Sequence, residues 1–336
     1  MAGSKNTTIQ DIATLLGLSK STVSRALNNN TVIAEDTRRR VAEAARSLKF
    51  TKNVSAQRLS QRQSRTIAFV THASVEGSQA SDLFGLEIMS GVSQGLQALG
   101  YEMLVKPIDY RDYSWVRKLL DSGQVDGFVL MTSSRKAHHT RALVREKAPF
   151  IAWGAASSSA AFPSVCADNR MGGVLVGRYL AGLGVGPLAV LAGPAEELEV
   201  QGRTEGFLAG VSEAGGGLDP RYVLHGDYSE ADGYRVMEEL LRLDPPPRAV
   251  FAEGDLMAIG ALKAAKGRGL KVPGDVAIVG FDNLMVSSYT DPPLTTVSQH
   301  LPQGGVALAQ GLVRYLETGQ ISHVVMPVEL IRRGSA

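Results

Sequence analysis

Residues 8–28 read TIQDIATLLGLSKSTVSRALN, and their spacing describes two short helices joined at Gly17 rather than one amphipathic helix. Thr8, followed at the third position by Asp11, is an N-cap signature, because its hydroxyl accepts a backbone N–H left unpaired in the first turn. Ile12, Leu15 and Leu16 are expected to form the apolar face, and Ala13 lets a second helix cross closely. Gly17 suits the left-handed backbone that ends a helix, and Ser19 suits the cap of the next. Val23 and Leu27 then face inward at i, i+4 spacing, which leaves Lys20, Ser21 and Arg25 on the outward, N-terminal part. Such an arrangement presents one helix end to base edges in a major groove. A helical hairpin with a central glycine carries the same local pattern without any role in DNA binding, so a second observation is needed.

Charge supplies it. Through residue 65 the chain holds 12 Lys and Arg against 4 Asp and Glu, and the remainder holds 23 against 29, so the overall +2 conceals a basic head on a mildly acidic body. Lysine and arginine placed on phosphates release condensed counterions, which is what such a head provides. The run Arg38, Arg39, Arg40 also fits a solvated helix face.

The stretch 8–28, with RRRVAEAARSLKF at 38–50 and NVSAQRLS at 53–60, resembles the headpiece of the lactose/galactose repressor family. The resemblance implies a helix-turn-helix headpiece over 1–52, a hinge helix and linker over 53–65 that folds on operator DNA, and an effector-binding and dimerisation domain over 66–336. It implies DNA contacts from Thr8, Ser19, Lys20, Ser21, Thr22, Ser24, Arg25 and Asn28, and hinge contacts from Ala56 and Leu59. Leu59 matches the family's minor-groove wedge; an apolar wedge kinks the duplex and widens the protein contact, and a helix that folds on binding can be switched. The other reading of Leu59 is an ordinary linker hydrophobe. One departure lies at Ala34, where the family usually caps its third helix with serine; the missing cap costs about 1 kcal/mol, partly offset by Glu35 and Asp36 at the helix N-terminus.

With 336 residues, a headpiece of this size leaves enough chain for two α/β lobes. The single cysteine, Cys166, forms no internal disulfide, and between Val165 and Ala167 it reads as a buried small hydrophobe. No apolar leader and no run of 18 apolar residues is visible, so a cytoplasmic protein without membrane contact is expected.

From residue 66 the pattern alternates short β-rich runs with helical segments: TIAFV (66–70), a helix at 87–99, YEMLVKP, a helix at 115–122 and VDGFVLM. A second series follows with FIAWG, a helix at about 171–183, LAVLAG, a helix around 203–214, YVLHGDY, 234–243, AVFAEG, 257–266 and VAIVGF. The expected fold is therefore α/β, an all-α helix-turn-helix headpiece followed by a body with parallel, doubly wound sheets. The family resemblance makes that body two-lobed and similar to periplasmic binding proteins, with three crossings between lobes. It places one lobe at about 66–162 plus 292–321 and the other at about 163–291 plus 322–336.

In doubly wound sheets ligands sit beyond the carboxyl ends of the strands. Arg203 and Asp282 fall at positions that the resemblance marks as effector contacts: a guanidinium fork suits paired hydroxyls or a carboxylate, and a strand-end carboxylate accepts from hydroxyl or amine donors. The alternative is a structural Arg–Asp ion pair. Asp168 also matches a contact position, whereas Asp255 reads as structural. Phe84, Trp153 and Tyr228 stand at strand-to-loop edges and offer faces to sugar C–H surfaces or nucleobases, although each ring taken singly is as readily core. Gly254 occupies a place where the family commonly holds an amide, which puts carry-over of the effector in doubt.

Other signals carry less. Gly182, Gly184 and Gly186 follow a helix and precede a strand, the reverse of a dinucleotide loop, and read as a helix end and turn. His138 and His139 have no third ligand nearby, and no nucleophile elbow, catalytic triad order or carboxylate pair stands out, so neither metal, cofactor nor enzymatic activity is expected. The expectation is a sequence-specific DNA-binding transcriptional regulator, a repressor, whose homodimer reads a pseudo-palindromic operator in double-stranded DNA. Its small-molecule effector would be a mono- or disaccharide, with a purine or other nucleobase as the alternative. A stand-alone solute-binding protein would leave the headpiece unexplained. The tail at Arg332 and Arg333 has no leucine heptad of the kind that would drive a tetramer.

Overall fold

Thr8 caps the first helix as the spacing requires: Asp11 N donates to its hydroxyl at 3.3 Å, and Thr8 N donates to the Asp11 carboxylate at 2.8 Å. The computed structural model describes residues 7–28, 30–48, 50, 63–72, 81–108, 113–131, 137–155 and 160–336. The chain divides into two units, Met1–Arg62 and Gln63–Ala336. Ala56, Leu59 and the expected hinge helix lie outside the described residues.

In the first unit, α1 (Ile9–Leu16), α2 (Lys20–Leu27) and α3 (Glu35–Ser47) close around Ile12, Ala13, Val23, Ala26, Val41 and Ala44. Gly17 ends α1 at φ 64°, a left-handed backbone that glycine adopts without a Cβ penalty. Ser19 caps α2 by accepting from Thr22 N at 3.1 Å. Ala34 makes no side-chain cap on α3, and Glu35 and Asp36 occupy its first turn. One apolar expectation is corrected, since Leu15 is 59% exposed. The buried stripe runs through Ile9, Ile12, Ala13 and Leu16, and Leu15 lies roughly a third of a turn off its centre.

The second unit begins with β1 (Thr66–His72), α4 (Ser81–Ala98), β2 (Glu102–Ile108), α5 (Ser114–Asp121), β3 (Gly127–Met131), α6 (Ala137–Arg145), β4 (Phe150–Trp153) and β5 (Ser164–Ala167). A second series follows: α7 (Asn169–Gly182), β6 (Leu188–Ala192), α8 (Leu198–Glu213), β7 (Val223–His225), α9 (Glu230–Leu240), β8 (Ala249–Ala252), α10 (Asp255–Gly267), β9 (Ala277–Asp282) and β10 (Thr295–Ser298). The chain ends with α11 (Leu301–Thr318), β11 (His323–Met326) and β12 (Glu329–Ile331).

Two six-stranded sheets result, ordered β11-β5-β4-β3-β1-β2 and β12-β10-β9-β8-β6-β7. Among the described residues every pairing is parallel except β10 with β12, and β6, β8 and β9 are apolar runs buried on both faces, as helices on both sides of a parallel sheet require. Each fully buried Val, Ile or Phe in them contributes about 1.5–3 kcal/mol of apolar transfer. In each sheet the strand order reverses at its first strand, between β1 and β3 and between β6 and β8, which opens the crevice where doubly wound folds bind ligands.

The chain crosses between sheets three times, but later than the expected lobe boundaries. Ser164–Ala167 pairs with β4 and β11 in the first sheet, Thr295–Ser298 pairs with β9 in the second, and His323–Met326 returns to the first. Each of these segments completes a strand of the sheet it came from or returns to, so the crossings follow Ala167, Ser298 and Met326 rather than residues 162, 291 and 321. Cys166, on β5, is half-buried rather than buried, and desolvation pushes its thiol up to about 11, which leaves it a poor nucleophile.

Helices α7 and α8 cross at glycines. A Cβ on Gly173 would collide with the Arg203 carbonyl and one on Gly206 with the Arg170 carbonyl, so these backbones meet at a distance no side chain permits. That approach sets the depth of α8, and with it the position of Arg203.

Candidate functional site

The first unit presents the α2 N-terminus to solvent. Ser19, Lys20, Ser21, Arg25 and Asn28 are exposed, as is Thr8, while Thr22 and Ser24 are half-buried. The Ser19 hydroxyl lies 2.8 Å from both Ser21 Oγ and Thr22 Oγ1, a polar cluster that fixes the start of the helix. Val23 and Ala26 point the opposite way into the core, so the exposed residues form one face whose orientation follows from packing.

In the second unit Tyr228 and Asp282, of the expected effector residues, lie within electrostatic reach of Arg203. Arg203 is 5% exposed; Nε donates to Asn169 Oδ1 at 2.8 Å, Nη1 donates to the Glu253 carbonyl at 2.5 Å, and Cζ lies 3.9 Å from the Phe281 ring centroid. Cation–π contact and two neutral acceptors hold the cation without a bonded carboxylate. Arg203 and Asp282 form no ion pair with one another among the described residues, so the structural ion-pair reading does not describe them.

Asp282 ends β9 at φ 122°, Tyr228 follows β7 at φ 70°, and neither is a glycine. Sparsely populated backbone of this kind costs of the order of 1–3 kcal/mol per residue and clusters at functional sites. Gln299 Nε2 donates to Asp282 Oδ1 at 2.6 Å. Burial, the largest influence, and the nearby Glu87 raise the Asp282 carboxyl to about 6, against the opposing pull of Arg203 and Gln299. The Tyr228 ring fills the space above two glycines: a Cβ on Gly193 would collide with it, and one on Gly254 would lie 3.2 Å from Cδ1. Its phenol is pushed well above its ordinary value by burial, with Glu197, Glu253 and Glu199 adding to that effect and Arg203 opposing it.

Phe84, on the first turns of α4, is half-buried and meets Trp153 edge-on with centroids 6.3 Å apart. Trp153 is 6% exposed and packs in the first-sheet core, where a Cβ on Gly304 would collide with its ring. Asp168 caps α7, its carboxylate accepting from Met171 N at 2.9 Å. Asp255 is a fully buried bolt that accepts from Leu284 N at 2.7 Å and Thr296 Oγ1 at 2.5 Å.

Several residues escaped the sequence reading. Glu253, fully buried, accepts from Thr204 Oγ1 at 2.7 Å and Gly193 N at 3.2 Å, and so ties the loops on either side of the β6/β8 switch point. Desolvation raises its carboxyl to about 7 against the lowering effects of Thr204, Arg203 and Gly193. The sequence signal was an ionisable residue directly after the apolar run AVFA at a strand end. Two further carboxylates reach across between the lobes: Glu199 on α8 accepts from Ala155 N at 2.7 Å, and Glu87 on α4 accepts from Met285 N at 2.9 Å. Leu284, next to Met285 in the chain and 1% exposed, joins the core of the opposite lobe. No group of three or more His, Cys, Asp or Glu is placed to hold a metal among the described residues.

Comparison with known proteins decides the family. The model for bacterial regulatory proteins of the lacI family matches residues 8–53, and that for a periplasmic binding protein-like domain matches 178–336. The HTH-type transcriptional repressor CytR of Escherichia coli (strain K12) is 31% identical over 335 residues, covering 98% of this chain and 96% of that protein. The chain belongs to the lacI family. Among solved structures, the transcriptional regulator CelR–cellobiose complex superposes with a TM-score of 0.74 at 28% identity, covering 98% of this chain and 100% of that one. The lac repressor dimer bound to operator and an anti-inducer shares the fold, with a TM-score of 0.79 at 24% identity over 98% of this chain and 99% of that one. No described helix is long and apolar enough to cross a membrane.

Proposed function

We propose that this lacI-family protein is a cytoplasmic transcriptional repressor, not an enzyme, that binds a pseudo-palindromic operator as a homodimer under control of a sugar held between its lobes. The observation that carries the effector half is the convergence of Arg203, Asp282 and Tyr228 at the strand ends, two of them on strained backbone. Arg203 brings guanidinium donors beyond those given to Asn169 and Glu253, Asp282 brings a carboxylate held by Gln299, and Phe84 and Tyr228 supply rings. Donor, acceptor and ring together suit a polyhydroxylated ligand, and the structurally similar CelR complex contains cellobiose.

Gly254 stands where relatives commonly hold an amide, and the Tyr228 ring takes up that space. On the DNA side, Lys20, Ser21 and Arg25 read base edges, while Thr8, Ser19, Thr22, Ser24 and Asn28 set the helix on the backbone; Ala56 and Leu59 complete the contact in the minor groove. Repressors among the relatives, such as CytR, agree with this direction of control.

A thermal-shift screen against mono- and disaccharides, with nucleobases as the competing class, tests the reading. A ligand at 100 times its dissociation constant adds about 2.7 kcal/mol. The expected result is a sugar that raises the melting temperature of the wild type, fails to raise that of Asp282→Ala, and changes affinity for a selected palindromic duplex. A nucleobase that does all three replaces the sugar, and a sugar that shifts the melting temperature without changing DNA affinity removes the regulatory role.

A further inference from the structure

The body begins on a clamp. Ser64 N and Ser64 Oγ donate to Asp126 Oδ1 at 2.7 and 3.0 Å, Arg65 N donates to Asp126 Oδ2 at 2.8 Å, and Asp126 N donates back to the Thr66 carbonyl at 2.8 Å. One carboxylate thus accepts three hydrogen bonds from two consecutive residues. Arg65 is held at φ 52°, a left-handed backbone for a side chain of its size, and its guanidinium lies 5.0 Å from the Tyr101 ring centroid. Glu102 N closes the arrangement on the Arg65 carbonyl at 2.8 Å.

The sheet does not need this clamp to hold β1. Strand β1 is already paired with β2 from Thr66 to His72 and with β3 from Ile67 to Phe69. The Asp126 hydrogen bonds act one step earlier, on the residues through which the body joins the operator-binding part of the chain. Three hydrogen bonds to one carboxylate together oppose the cost of that left-handed backbone and hold it in place. The approach of residues 64 and 65 to β1 is thereby set by a side chain. We propose that Asp126 is a positioning residue for operator recognition, fixing through Ser64 and Arg65 the exit of each linker and so the separation at which the two headpieces of a dimer read their half-sites. Binding two half-sites at once gains from a defined geometry, because linkage multiplies affinity only at spacings the connection can span.

This inference rests on the operator-binding reading, and the test separates the two. The full-length wild type first selects a duplex from a random library, and palindromes built on that half-site with different central spacers are then titrated with wild type, Asp126→Ala, Asp126→Asn and Arg65→Gly. Arg65→Gly keeps the carboxylate and accepts the positive φ without strain, so it folds even if the alanine variant does not. The wild type is expected to show a sharp spacer optimum. The variants are expected to lose on the order of tenfold in affinity at that optimum, a fraction of the 10²–10⁴-fold that bivalency adds, while binding a single half-site as the wild type does. A spacer profile that keeps its shape in Arg65→Gly and in either folded Asp126 variant, with only the melting temperature changed, makes the clamp purely structural and overturns the proposal. A wild type that selects no duplex at all refutes the operator reading itself.

Discussion

Replacing Glu253 with glutamine tests the electrostatics of the cleft most directly. The carboxyl is fully buried, and its midpoint is raised from 4.5 to about 7, chiefly by desolvation. At about 1.4 kcal/mol per decade of proton affinity this corresponds to about 3 kcal/mol between the two protonation states. The sign follows from the direction. A folded carboxyl that holds its proton more tightly than the unfolded one stabilises the protein fully below about 4.5, loses that contribution as pH rises, and has lost it above about 7. Glutamine reproduces the protonated acid, with its carbonyl accepting from Gly193 N and its amide donating to Thr204 Oγ1, and does not titrate. In urea titrations of wild type and Glu253→Gln at about pH 5 and pH 8, the variant's advantage should grow with pH by most of that about 3 kcal/mol. Taking the difference between the two proteins cancels the titration of Asp282 and Asp255. A difference that is flat with pH, or that shrinks, would refute the assignment of Glu253 as a carboxyl kept neutral by burial.

Three further outcomes are expected. Ala34→Ser should add a side-chain cap to α3 and raise the stability of the headpiece by about 1 kcal/mol, read from the helical signal of its thermal unfolding. Gly173→Ala should force α7 away from the Arg203 carbonyl, costing the body about 1–3 kcal/mol in denaturant and weakening effector binding, because it displaces the helix that carries the guanidinium. Glu199→Ala removes the acceptor of Ala155 N between the lobes; small-angle scattering of the unliganded body should show a larger radius of gyration, and an unchanged radius would mean the contact follows closure rather than holding it.

The headpiece was almost wholly legible in the sequence because its determinants are local. Thr8 with Asp11, Gly17 and Ser19 act over one or two turns, and the structure places each of them in the capping or left-handed role that its chemistry suits. Leu15 is exposed where apolar spacing puts it on the inner face, because spacing alone does not locate the centre of a stripe. In the body, strand and helix alternation gave the doubly wound class. The crossings were placed too early, since β5, β10 and β11 are only four residues each and their membership depends on partners far away in the chain. The site was half legible. Arg203 and Asp282 could be placed on family resemblance, yet what holds them could not, because Asn169, Glu253 and Gln299 reach them only through the fold.

Those supporting residues change how the site should be understood. An arginine in a bonded ion pair has its charge compensated before any ligand arrives, and a ligand must compete with the carboxylate for it. Arg203 is instead held by an amide oxygen, a backbone carbonyl and the face of Phe281, and Glu253, the acid next in the chain to that network, holds its proton up to about 7. Its positive charge is therefore held by neutral groups, with no carboxylate hydrogen-bonded to it among the described residues, on a helix whose depth the glycine crossing of α7 and α8 sets. On the proposed reading this placement offers oxygen-rich ligands a preorganised donor, and it links the cleft to the lobes, because Glu199 on the same helix as Arg203 accepts the hydrogen bond from Ala155 on the opposite lobe. On that reading a ligand that pulls on Arg203 pulls on α8, and the contact between lobes is made from that same helix.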